Sequence, residues 1–189
     1  MFLTERFTEA LVFATELHAT QVRKGSGVPY VTHLLGVTSI ALDYGANEDE
    51  AIAALLHDAI EDQGGAKTRE EIRRRFGDNV TAIVDGCTDS EIIPKPPWRE
   101  RKQVFIDSLA TASPSVLLVS AADKLHNSRS ILKDYRELGE SVWERFKGGK
   151  EGSIWYYKSL VAAYRQVYSS PLIDELERVV SELNYLANG

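Results

Sequence analysis

The stretch LLHDAIEDQGG, residues 55–65, sets His57, Asp58, Glu61 and Asp62 at the end of a segment that is otherwise apolar. From Ala51 to Leu56 no polar side chain interrupts the chain, so the segment reads as a central helix buried on nearly all sides. Asn47 is a good N-cap and Glu50, three residues on, completes a capping box, which fixes where that helix begins. Helical spacing stacks residues four apart, so His57 falls over Glu61 and Asp58 over Asp62. A buried carboxylate is costly unless it is paired, hydrogen-bonded or bound to a metal. Three carboxylates and an imidazole on one such helix end therefore require a cation.

Working outward, apolar residues recur at helical spacing on both sides of this segment. Phe7, Leu11, Ala14 and Leu17 form one stripe, and Ile72, Phe76, Val80 and Ile83 mark another helical region. Alternating strand patterns are scarce. The fold class is all-α, a helical bundle of about eight helices by pattern. Turn chemistry divides it: RKGSGVP at 23–29, DQGGAKT at 62–68, IIPKPPW at 92–98 and FKGGKEGS at 146–153. After the second break Thr68 is expected to cap the next helix, with Glu71 completing a capping box. Each break carries a lysine or arginine.

With 189 residues, 43% of them hydrophobic, the chain suits a single domain over 1–189 with a substantial core. A net charge of −6 excludes the broad basic surface that a nucleic acid needs, but clustered cations can still hold a small phosphorylated ligand. Cys87 is the only cysteine, which removes a disulfide framework and a cysteine-rich zinc site. The N-terminus lacks the pattern of a signal peptide, and no apolar run approaches the roughly 20 residues of a membrane helix. The expectation is a soluble, cytoplasmic protein with no membrane partner.

Two further apolar helices carry polar interruptions. In SVLLVSAADKLHNSRSIL, residues 115–132, Asp123, His126, Asn127 and Ser130 share one face. In PYVTHLLGVTSIAL, residues 29–42, His33 is a lone imidazole. Taken singly, each has an ordinary reading: His33 as a satisfied core histidine, His57 and Asp58 as an ion pair, Asp123 paired on the surface with Lys124 or Arg129. Together, His33, His57, Asp58 and Asp123 make a mixed nitrogen and oxygen set that suits Mn²⁺, Fe²⁺, Co²⁺ or Zn²⁺ better than Mg²⁺ or Ca²⁺. Trp98, Trp143, Trp155, Tyr156 and Tyr157 read as packing rather than base platforms, His18 as a helix-face residue, and Cys87 as a small buried hydrophobe. The tail 171–188 reads as an amphipathic helix that packs on the bundle or on a second subunit, which leaves a homo-oligomer open.

The ordered pattern H, then HD, then D resembles the HD-domain metal-dependent phosphohydrolases. RKGSGVPYVTH, ALLHDAIED, FGDNVTAIVDGCTD and AADKLHNSRSI are similar to the successive motifs of RelA/SpoT-homologue hydrolase domains, over roughly residues 7–165. The length resembles that of the small stand-alone alarmone hydrolases. The resemblance implies an HD-domain helical bundle, one Mn²⁺, and hydrolysis of ppGpp or pppGpp to GDP or GTP and pyrophosphate. It implies His33, His57, Asp58 and Asp123 as metal ligands and Glu61 and Asp62 as the catalytic pair. It places Arg23 and Lys24 at the base, Asn127 and Ser130 along the nucleoside, and Lys95 and Lys150 on phosphates. The sequence departs from the family at Leu34, where proline is usual, and in the loop RKGSGVP, where RKxGEP is commoner. Because that loop bears on the base, an adenine alarmone or NADPH as substrate stays open, as does a binding module without turnover.

Overall fold

A computed structural model describes residues 2–89 and 94–189. Ten α-helices account for the described residues: α1 Glu5–Leu17, α2 Val31–Asp43, α3 Glu48–Leu56, α4 Ala59–Asp62, α5 Ala66–Phe76, α6 Asp78–Cys87, α7 Trp98–Ser108, α8 Pro114–Leu138, α9 Gly149–Val167 and α10 Pro171–Asn188. Short 3₁₀ turns cover Leu109–Thr111 and Gly139–Arg145. Among the described residues there is no strand, only an isolated bridge between Val22 and Pro29 that closes the 23–28 loop. The all-α class holds, with more and shorter helices than the apolar pattern suggests.

The central position of α3 follows from its composition. Every residue from Glu50 to Leu56 is buried, and α3 packs against α1, α2, α6 and α8. Its capping box forms as the sequence predicts, with Asn47 accepting from the Glu50 amide and Glu50 Oε2 accepting from the Asn47 amide. The other Glu50 oxygen accepts from Ser115 Oγ at 2.7 Å. This buried carboxylate thus pins the start of α8 to the start of α3.

Three local expectations change. The helix of the opening stretch stops at Leu56 and resumes as α4 at Ala59. His57 Nδ1 lies 2.8 Å from the Ala54 carbonyl, the acceptor a continuing helix would offer to the Asp58 amide. Thr68 does not cap α5. Gly64 and Gly65 take positive φ, so the helix starts at Ala66 and the Thr68 hydroxyl donates instead to the Gln63 carbonyl at 2.5 Å. The Ile72–Ile83 stripe is split at Gly77, also at positive φ, into α5 and α6, though all four of its apolar residues are buried. Ile92 and Ile93 of the IIPKPPW break lie outside the described residues.

The remaining helices build a frame around the site. The long α8 packs on α2, α3, α6 and α10. The α10 stripe of Leu172, Leu176, Val179, Val180 and Leu183 is buried against α8 and α9, so the tail packs on its own bundle. Trp143, Tyr156 and Tyr157 are buried as expected, and His18, read as a helix-face residue, is a buried ring at the C-cap of α1. Cys87 is partly buried. Among the described residues no helix is long and apolar enough to cross a membrane.

Candidate active site

Four side chains from α2, the α3–α4 junction and α8 converge. His33 is the third residue of α2, His57 and Asp58 occupy the break after α3, and Asp123 is in the apolar half of α8. The donor atoms of His33, His57 and Asp58 lie within 4.8 Å of one another. His57 Nε2 is 3.2 Å from His33 Nε2 and 2.9 Å from Asp58 Oδ2. Asp123 Oδ1 stands 3.2 Å from His33 Nε2 and 3.6 Å from His57 Nε2. Ligands about 2.1 Å from a shared ion lie about 3.0–3.4 Å apart along polyhedron edges. His33, His57 and Asp58 therefore have donor atoms close enough to share one ion, with Asp123 Oδ1 beside both imidazoles.

Hydrogen bonds behind the quartet fix its orientation. With Nδ1 of His57 engaged by the Ala54 carbonyl, Nε2 keeps its lone pair for an ion. His33 Nδ1 lies 2.9 Å from His126 Nδ1. Burial, then the neighbouring His33 and Arg23, lower the pKa of His126 to about 4, so its ring is neutral and can accept that bond. Tyr30 donates to Asp58 Oδ2 at 2.6 Å, and Lys124 and Asn127 donate to the two Asp123 oxygens. Lys124 thus does pair with Asp123, but Asp123 is buried and Lys124 partly so, and the other carboxylate oxygen still faces the imidazoles. Arg129 pairs with Glu175 instead.

Charge in the quartet calls for a cation. Burial opposes ionisation of His57, Asp58 and Asp123, yet their mutual contacts and Lys124 outweigh it. The result is a His57 pKa well above the imidazole range and Asp58 and Asp123 pKa values well below the carboxylate range. A divalent ion held there would balance the two carboxylates.

The quartet adjoins a cavity of about 700 Å³ through its partners Tyr30, Lys124, His126 and Asn127. Nine lysines and arginines but only four carboxylates line this cavity among the described residues, a positive chamber in a chain of net charge −6. Arg23, Lys24, Glu61, Asp62, Lys95, Asn127 and Ser130 are all in its wall. Arg23 Nη2 donates to Asn127 Oδ1 at 3.0 Å, which links the 23–29 loop through Asn127 to Asp123. Glu61 Oε1 accepts from Lys95 Nζ at 2.6 Å and its Oε2 from the Asp89 amide at 3.2 Å. Asp62 accepts from Gln21 Nε2 at 2.8 Å. Withdrawal from solvent and then the Asp58 carboxylate raise the Asp62 pKa above its usual value.

Lys150 does not join them. Its amine bonds Glu140 at 3.0 Å and it lines a separate hollow between α9 and α10. The glycines at 148 and 149 start a new helix there, so Lys147, not Lys150, remains at the cavity wall. Trp98, Tyr156 and Tyr157 serve both packing and cavity wall.

Sequence reasoning also missed Tyr30, Gly36 and the His18–Gln21 pair. Tyr30 lies three residues before His33, a same-face spacing that could have drawn notice. A Cβ on Gly36 would lie 2.3 Å from His126 Cδ2 and Nε2, so only glycine lets α8 bring that ring against His33. His18 stacks on Tyr30 with ring centroids 5.3 Å apart and meets Gln21 at 2.6 Å. The end of α1 thereby supports both Tyr30 and Asp62.

Residues 10–154 match the family model for the HD domain. The chain belongs to the HD-domain family. Membership implies a divalent metal, and His33, His57 and Asp58 supply a chemically suitable set of donors. The HD domain is 41% identical over 126 residues to the guanosine-3′,5′-bis(diphosphate) 3′-pyrophosphohydrolase MESH1 of Xenopus tropicalis, covering 65% of this chain and 68% of that protein. It is 39% identical over 124 residues to a probable GTP pyrophosphokinase of Mycobacterium leprae, covering 65% of this chain but 15% of that long relative. A solved structure of a metazoan orthologue of SpoT, described as hydrolysing ppGpp, matches with a TM-score of 0.81 at 26% identity, over 97% of this chain and 98% of that one. The resemblance carried by the motifs is thus upheld across nearly the whole fold.

Proposed function

We propose that the chain is a cytoplasmic, Mn²⁺-dependent (p)ppGpp 3′-pyrophosphohydrolase, working as one unit over residues 1–189. The observation that carries this reading is the juxtaposition of clustered imidazoles and carboxylates with a positive cavity of nucleotide size. When bound by His33, His57, Asp58 and Asp123, a divalent ion supplies an acidified water and Lewis-acid polarisation of a phosphoryl oxygen. Mn²⁺ suits two imidazoles with two carboxylates.

The chain's own residues supply the rest. Glu61, whose two oxygens both accept hydrogen bonds, is held in place and aimed, as a group that orients an attacking water must be. Asp62, whose pKa is raised, is the better proton carrier for the departing ribose 3′-oxygen. Lys95 uses one of its three donors on Glu61 and can direct another to a phosphate oxygen. Arg23 presents a guanidinium plane for a purine, fixed by Asn127, while Ser130 lines the nucleoside.

The decisive experiment loads the protein with Mn²⁺, supplies ppGpp and identifies products. GDP and pyrophosphate are expected. Glu61→Gln should retain metal and lose about 10²–10⁴-fold in kcat, whereas Asp123→Ala should lose metal. Absence of turnover in folded, metal-loaded protein, or full activity of Glu61→Gln, would overturn the assignment.

A further inference from the structure

Of the nine cations around the cavity, most are held by a neighbour. Arg101 and Lys102 pair with Asp89, Lys124 with Asp123, Lys95 with Glu61 and Arg145 with Asp134, while Arg23 is bonded to Asn127. Lys24, Lys133 and Lys147 have no hydrogen-bond or ion-pair partner among the described residues, and all three are exposed at the cavity wall.

These three lysines belong to one corner. Arg145 packs so tightly on the 23–29 loop that a Cβ on Gly25 would lie 2.4 Å from its Cδ. The same guanidinium donates to Asp134 of α8 at 2.7 Å. Lys24 is next to Gly25, Lys133 is next to Asp134, and Lys147 is two residues beyond Arg145. The contacts of one arginine therefore gather three segments, each carrying one unpaired lysine.

The corner also has a defined distance from the metal quartet. A helix rises 1.5 Å per residue, so along α8 Asn127 lies about 6 Å, Ser130 about 10 Å and Lys133 about 15 Å beyond Asp123. This order matches the parts of a nucleotide phosphorylated at both ends: 3′-phosphates at Asp123, nucleoside at Asn127 and Ser130, 5′-phosphates at Lys133. Paired cations must give up an acid to gain a phosphate, whereas unpaired ones gain it outright.

Resting on the reading of the site as a 3′-pyrophosphohydrolase, we propose that Lys133 and Lys147, with Lys24 at the rim, bind the 5′-phosphate chain and select substrates by its length. The wild-type protein then prefers a 5′-triphosphate to a 5′-diphosphate, and that to a 5′-monophosphate, by about threefold or more in kcat/KM per phosphate. The preference shrinks with added salt.

The test compares pppGpp, ppGpp and pGpp as substrates of Mn²⁺-loaded wild type and of K133Q/K147Q, with binding of GTP, GDP and GMP measured in parallel by calorimetry. The expected result is a rise in KM with retained kcat in the double variant, and a flattened ladder in both turnover and binding. Both lysines are exposed, and an unchanged melting temperature checks that the variant is folded. A flat ladder in wild type, or an equally steep one in the variant, would overturn the proposal. Failure of turnover on all three substrates would count against the hydrolase reading alone, because the product-binding ladder still reports on the lysines.

Discussion

Gly36→Ala is the most searching perturbation of this site, because it adds one methyl group and removes no side chain. The new Cβ would lie 2.3 Å from His126 Cδ2 and Nε2. Ordinary contact begins near ~3.5 Å, so the ring has to retreat by about 1 Å, or α2 has to separate from α8. Overpacking of this kind costs about 1–3 kcal/mol, which for a domain of this size lowers Tm by about 2–12 °C. The same retreat stretches the 2.9 Å contact between His126 and His33. Loss of a partner behind a metal-bound histidine weakens metal affinity about 10–100-fold. Thermal unfolding of the metal-free protein and calorimetric titration with Mn²⁺ measure the two effects separately. Adding His126→Ala removes the clash, so the double variant should regain Tm over Gly36→Ala while metal affinity stays low. A Gly36→Ala protein with wild-type Tm and wild-type metal affinity would refute the claim that glycine is there to admit the His126 ring.

Tyr30→Phe removes the hydroxyl that donates to Asp58 Oδ2 at 2.6 Å and should weaken metal binding about 10–100-fold with the fold retained; unaltered affinity in the same titration would rule out this supporting role. Because the folded-state pKa of His57 is raised, its protonation stabilises the metal-free protein fully below about 6.5, and that contribution disappears as pH rises through the raised value. Metal must expel the same proton, so apparent affinity should rise up to tenfold per pH unit over that interval and then level off; melts and titrations across pH should therefore run in opposite directions. Leu183→Ala on α10, at a fully buried position facing the bundle, should cost about 2–5 kcal/mol in urea unfolding, and a change near zero would mean that α10 does not pack there.

Much of the fold is legible because its signals are local. The capping box of Asn47 and Glu50 needs only three residues of spacing, and it forms as read. The apolar run 51–56 fixes α3 as central because no face of it can be left in water. Helix ends are less legible where a side chain outside the backbone ladder intervenes. His57 takes the Ala54 carbonyl and breaks the expected helix, and the Gly64–Gly65 turn moves the start of α5 ahead of Thr68.

The sequence by itself determined the residue types of the site and their order, since imidazoles and carboxylates that interrupt three apolar helices are too costly to bury unless they share a cation. Only the tertiary structure decided which cations face the site. Lys147 and Lys150 are three residues apart and alike in sequence, yet one lines the positive cavity and the other pairs with Glu140 beside a different hollow. The closeness of His126 to His33, 93 residues away, likewise depends on how nearly α2 and α8 approach at Gly36. Charge and hydropathy are properties of the residue, but the direction in which a side chain points depends on the packing of helices far apart in the chain.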